Sequence, residues 1–177
     1  MSETFKDLYQ RTAEIFLQDS PFIEIRLLGN GGTAMSGFFA DAESAAKAIE
    51  AIDGRRNAYL VANPIRPDFG QGTFGKFVRA PKGDCVGDDD IERRAWFPVD
   101  IDAKAKGKLS ATQEEIDAAA AARDKIAGFL TSQGWPEPMI GFSGNGWWLF
   151  FRTSLANDDE TKALLDQALT TLAIMSN

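Results

Sequence analysis

Two aspartates, Asp100 and Asp102, close the apolar segment Trp96-Phe97-Pro98-Val99-Asp100-Ile101-Asp102. In an extended strand successive side chains alternate between faces, so both carboxylates project from one face with Cα atoms roughly 6.5–7 Å apart. Val99 and Ile101 then point the other way, into a core. Paired carboxylates at a strand end are ligands for one or two hard divalent cations, which bridge triphosphate oxygens and activate a hydroxyl for in-line attack. Side by side, the two acids repel each other unless a cation or solvent relieves them. The same spacing also describes a strand that simply ends in a solvated acidic turn.

The rest of the composition narrows the chemistry. The 177 residues include no histidine and one cysteine, Cys85. Ser-His-Asp and Cys-His catalysis are therefore excluded, as are histidine-ligated zinc or iron sites and an internal disulfide. A metal in this chain must be held by oxygen, which points to Mg²⁺ or Mn²⁺. The net charge of −7 argues against a broad nucleic-acid-binding surface. Its distribution is uneven. Between Lys76 and Lys108 eight basic residues face seven acidic ones, whereas the remaining chain carries eleven and nineteen. The stretch holding the aspartates is the least acidic, which suits a polyanionic substrate and equally a solvated loop of mixed charge.

A second constellation is Ser143-Gly144-Asn145-Gly146, set between two apolar runs. Asn-Gly signals a type I′ hairpin turn. Structure alone accounts for it; alternatively, the Ser143 hydroxyl and the backbone N–H groups of Gly144 and Asn145 form a cradle for phosphates.

These residues need elements to hold them. Apolar spacing predicts a first helix from about Glu3 to Gln18, ended by Asp19-Ser20-Pro21. Phe22 to Leu28 alternates as a strand, with Glu24 and Arg26 opposite Ile23, Ile25 and Leu27. The turn Gly29-Asn30-Gly31-Gly32 returns it as a hairpin over Met35 to Phe39. Asp41 caps a helix over Ser44 to Ile52 with Gly54 beyond it, and Tyr59 to Ala62 forms a short strand. Residues 65–90, rich in glycine, proline and charge, read as a long loop. Arg94 to Ile101 is a strand; Ser110 or Thr112 caps a helix running to about Ser132. Met139 to Phe142 and Trp147 to Thr153 make the second hairpin, and a last helix spans Asp158 to Ile174. The predicted architecture is α+β: one domain over residues 1–177, with a mixed or antiparallel sheet and helices packed on it. No apolar run approaches the roughly 20 residues of a membrane span, and no signal-peptide pattern opens the chain, so a cytoplasmic setting is expected.

Several segments together resemble the archaeo-eukaryotic primase superfamily, in its phage and plasmid primase-polymerase branch. Asp90-Ile91-Glu92-Arg93-Arg94-Ala95-Trp96, leading into Val99-Asp100-Ile101-Asp102, is similar to that branch's first catalytic motif. Ser110 to Glu115 is similar to the family's lead-in to the following helix. Gly134-Trp135-Pro136-Glu137-Pro138 and Ser143 to Gly146 resemble its second motif region, and Asn157 to Lys162 the start of the next helix. Phe22 to Arg26, Ser36 to Phe39 and Tyr59 to Pro64 also fit, so the resemblance runs in order along most of the chain.

The resemblance implies an RRM-like catalytic half over about 91–177, joined to an N-terminal α/β part over about 1–64. It implies template-directed nucleotidyl transfer with Mg²⁺ or Mn²⁺, nucleoside triphosphates and a DNA template as substrates, and a helicase or other replication protein of a mobile element as partner. Asp100 and Asp102 would be the catalytic metal ligands, with Ser143, Gly144 and Asn145 against the nucleotide's phosphates and Arg94 reaching the same region.

Two departures stand out. The family's second motif carries a histidine where this chain has Trp148, whose single indole N–H cannot reproduce an imidazole's phosphate contact. Trp148 would instead stack on a base, fill the pocket, or pack as core beside Trp147. The family's third carboxylate follows the last helix, beyond Asn177. The alternative expectation is thus a degenerate module that binds nucleotide or single-stranded nucleic acid without polymerising.

Overall fold

The computed structural model describes residues 4–29, 34–52, 55–70, 72–80, 84–103 and 110–176. The turn expected at residues 30–32 and Gly54 lie outside the described residues, as do Glu3 and Lys108. The fold is α+β, with four α-helices and two antiparallel sheets among the described residues. The chain divides into two compact units, Met1–Arg94 and Ala95–Asn177. None of the described helices is long and apolar enough to cross a membrane.

In the first unit, α1 (Phe5–Leu17) starts at Thr4, whose hydroxyl and the Asp7 carboxylate cap each other's backbone N–H groups. Strands β1 (Ile23–Leu28) and β2 (Met35–Phe39) pair antiparallel, with Ile25 opposite Gly37. Helix α2 (Ala42–Glu50) follows, capped by the Asp41 carboxylate accepting from Ser44 N–H at 2.8 Å. Strand β3 (Asn57–Leu60) begins two residues before the predicted Tyr59, and β4 (Val78–Arg79) arises within the predicted loop. The sheet order is β3-β1-β2-β4.

The described residues between Ile65 and Asp90 form a packed cover rather than a free loop. Ile65 and Val86 are buried with Phe22, Phe38 and Ile91, and the Phe69 ring stacks 5.3 Å from that of Phe38. Under this cover lies Glu24, fully buried. Its carboxylate accepts from Arg26 Nε at 2.9 Å and Nη2 at 2.7 Å, from Ser36 Oγ at 2.6 Å and from Val86 N–H at 3.1 Å. Both oxygens are engaged, Oε2 by Arg26 and Val86 and Oε1 by Ser36, which offsets the cost of burying the carboxylate. Burial and the neighbouring Glu24 push the Cys85 thiol above its ordinary range, so it is a poor nucleophile.

The second unit has the order β5 (Arg93–Asp102, its first two residues belonging to the first unit), α3 (Gln113–Ser132), β6 (Met139–Phe142), β7 (Gly146–Ala156) and α4 (Asp159–Ser176). Its sheet runs β5-β7-β6. Phe97, Val99 and Ile101 from β5 form the core with Leu149 and Phe151 from β7, Ile126 and Leu130 from α3, and Leu172 from α4. Alternation explains this directly: Ala95, Phe97, Val99 and Ile101 of β5 are buried, and Asp100 and Asp102 are exposed.

Candidate functional site

Asp100 and Asp102 sit at the mouth of a cavity of about 570 Å³ walled by β5, α3 and α4. Trp148 of β7 and Glu115 of α3 line the same cavity. The small apolar residues Ala118, Ala119 and Ala122 of α3 also line it. Trp148 stacks on Phe150 at 5.7 Å and 19°, while its neighbour Trp147 packs against Phe142 beneath the Arg123 guanidinium. The adjacent tryptophans therefore occupy opposite faces of the sheet, as strand alternation requires.

The second hairpin is built against the aspartates. Ala103 N–H donates to the Asn145 carbonyl at 3.2 Å, directly after Asp102. A Cβ on Gly146 would lie 2.7 Å from the Ile101 carbonyl oxygen and 3.1 Å from Asp102 Cα, so only glycine lets the two strands approach this closely. The turn differs from the type I′ expectation. Gly144 has φ +93, and no non-glycine residue among those described has a positive φ. Glycine at the first central position with Asn145 in an ordinary conformation is the type II′ pattern.

Two of the groups expected to cradle phosphates, the Ser143 hydroxyl and the Asn145 N–H, are engaged within the hairpin. Ser143 Oγ donates to the Gly146 carbonyl at 3.2 Å and accepts from Asn145 N–H at 3.4 Å. Asn145 Oδ1 accepts from Ala111 N–H at 3.1 Å, tying the hairpin to the residues that lead into α3. Arg94 belongs to the first unit, where its largely buried guanidinium pairs with Asp88 at 3.4 Å. The structure thus gathers Asp100, Asp102 and Trp148 at one cavity, with Asn145 and Gly146 against Asp102.

Glu115 is the residue that sequence reasoning did not single out. As the third residue of α3 it reads as half of a capping box, and it plays that part: its Oε2 accepts from Thr112 N–H at 2.8 Å and Thr112 Oγ1 at 3.0 Å. Only the packing of α3 beside β5 turns it toward the aspartates' cavity.

Burial, then the neighbouring Asp102 charge, raises the Asp100 carboxyl above the ordinary 3.8. A raised folded-state pKa means the charged form is disfavoured by folding. The penalty is absent below the unfolded value and grows as pH rises through the folded one. Asp100→Asn should therefore raise the melting temperature modestly at pH 7 in a chelator. The gain should vanish below about pH 3.8; a loss of stability at pH 7 would contradict it. A cation beside the pair supplies the opposite charge that removes this penalty.

Among the described residues no group of three or more carboxylates or thiols is close enough to cage a metal. Two carboxylates suffice for Mg²⁺, which keeps several waters and takes its other ligands from substrate phosphates. The exposed, mutually repelling pair fits such a partly hydrated ion rather than a closed structural site. No family model, curated protein or solved structure matches this chain.

Proposed function

We propose that this chain is a primase-polymerase-like nucleotidyltransferase domain, binding a nucleoside triphosphate through Mg²⁺ or Mn²⁺ at Asp100 and Asp102. The observation that carries the reading is the pair of exposed carboxylates on one face, at the mouth of a cavity of about 570 Å³, with the Asn145-Gly146 hairpin locked against Asp102. A bound divalent cation would neutralise triphosphate oxygens and lower the pKa of the attacking hydroxyl. The chain's own residues do the positioning. The hairpin's bond to Ala103 holds Asp102 in register, and the apolar core under Val99 and Ile101 fixes the direction of both acids. The wider reading is a mobile-element replication domain, cytoplasmic, acting on a DNA template beside a helicase or other replication protein.

A second reading, nucleotide or single-stranded nucleic-acid binding without polymerisation, is favoured by Trp148. Its ring lines the cavity beside the acids where it can stack on a base, a contact worth about 1–3 kcal/mol. Ser143 Oγ, already engaged within the hairpin, weakens the case for a full phosphate cradle.

Calorimetric titration with Mg²⁺ or Mn²⁺ and a nucleoside triphosphate should show metal-dependent binding that Asp100→Ala with Asp102→Ala reduces below detection. Heat that is the same in EDTA, or unchanged in the double variant, would sink both readings. Primer extension on a single-stranded template then separates them. Extension by the unaltered chain supports the enzyme; extension gained only in Trp148→His supports degeneration.

A further inference from the structure

The face of β5 and β7 turned away from the core is aromatic where a solvated face would be polar. Trp96, Pro98, Asp100 and Asp102 alternate with the buried residues of β5, and Trp148, Phe150 and Arg152 alternate with Leu149 and Phe151 of β7. The rings on this face form one connected series. The Arg152 guanidinium lies 4.2 Å from the centre of the Trp96 ring, Trp96 meets Phe150 edge-on at 6.4 Å and 90°, and Phe150 stacks on Trp148 at 5.7 Å and 19°. Trp96 is buried, which anchors the series at one end.

Of these rings only Trp148 lines the cavity that the two aspartates share. Phe150 backs the indole on one side, while the ring still borders the open space beside Asp100. Gly141, opposite Trp148 across the β6–β7 ladder, adds no side chain to crowd it. A ring already held from behind loses little freedom when a flat ligand settles on it, so the ordering cost of association is small. The lining offers little by which to read a base at its edge. Apart from Trp148 its side chains are hydrocarbon or carboxylate, with Asp100 and Asp102 assigned to the cation and Glu115 Oε2 engaged by Thr112. The guanidinium and amide groups that ordinarily distinguish guanine and adenine are not among them. Stacking is left to discriminate, and it grows with the area of the two rings.

We propose that Trp148, held in place by Phe150, stacks on the base of the bound nucleotide and makes the site selective for purine over pyrimidine nucleoside triphosphates. Adenine and guanine are taken alike. Trp148 is the contact, and Phe150 is a positioning residue. The inference rests on the metal-dependent nucleotide site proposed above, and adds to it that the protein itself selects the base without a template. A two-ring purine covers more of an indole than a one-ring pyrimidine does, and the selectivity follows from that difference in area.

Calorimetric titrations of the full chain in Mg²⁺ compare tripolyphosphate, which has no base, with ATP, GTP, CTP and UTP. Tripolyphosphate should bind. ATP and GTP should bind about tenfold more tightly than CTP and UTP, and within about threefold of each other. Trp148→Ala should bring the purine-to-pyrimidine ratio to about one, and Trp148→Phe, with its smaller ring, to an intermediate value. Phe150→Leu should lower the ratio about threefold and Phe150→Tyr should restore it. Trp147→Phe, on the opposite face of the sheet, should keep the full ratio. Circular dichroism reports that each variant folds. Tripolyphosphate binding without a purine advantage, or an advantage undiminished in folded Trp148→Ala or Trp148→Phe, would overturn the inference and leave the metal site standing. No binding by tripolyphosphate or any of the four nucleotides would remove the metal site and the inference together. An unchanged ratio in Phe150→Leu would overturn the positioning role of Phe150.

Discussion

Glu24→Ala should destabilise the first unit by about 3–5 kcal/mol, the cost of breaking a buried ion pair by removing one partner. The carboxylate is fully buried and accepts four hydrogen bonds from three residues. Alanine would leave Ser36 Oγ and Val86 N–H without their acceptor in a site closed to water. The Arg26 guanidinium, whose side chain is 32% exposed, recovers part of its hydration and places the value toward the lower end of that range. The loss should extend to the covering segment, because Glu24 is the group to which Val86 is bonded from 62 residues away. Glu24→Gln should cost less, retaining an acceptor for Val86 while weakening the charge-assisted bonds. Urea unfolding followed by circular dichroism measures both. A change under about 1 kcal/mol for Glu24→Ala would show that the network contributes little.

Gly146→Ala should destabilise the second unit by about 2–3 kcal/mol and impair metal-dependent nucleotide binding in protein that is still folded. The added Cβ meets the Ile101 carbonyl oxygen at 2.7 Å and Asp102 Cα at 3.1 Å, and both are backbone atoms that cannot swing aside. Relief requires β7 to move from β5, which shifts Asp102 and breaks the Ala103–Asn145 bond. Gly144→Ala is the control. Its Cβ meets nothing within 4 Å, so the cost is only left-handed strain, about 1 kcal/mol, with the aspartates undisturbed. If the two variants bound nucleotide and melted alike, the close approach at Gly146 would not be what positions Asp102.

Much of this arrangement was legible from local pattern. The alternation in Trp96 to Asp102 placed both acids on one face, and the structure exposes them there over a buried Phe97, Val99 and Ile101. Asp41 and Thr112 were readable as caps because each bonds an N–H three residues on. The paired tryptophans were readable as residues of opposite faces for the same period-two reason. The turn type was not: Asn145-Gly146 carries the stronger local signal, yet Gly144 takes the left-handed conformation.

The sequence by itself determined which residues share a face, where most helices begin, and, through its lack of histidine, that any metal must sit on oxygen. Those properties depend on neighbours within a few positions and on composition. The tertiary structure alone decided that the described residues between Ile65 and Asp90 cover Glu24, that β4 forms among them, and that Glu115 joins Asp100 and Asp102 at one cavity. It also decided that Ser143 Oγ is engaged by its own hairpin. These outcomes are set by segments tens of residues apart competing for the same apolar surface and hydrogen-bond partners. Irregularly spaced residues such as Ile65, Phe69 and Val86 carry no periodic signal of that competition.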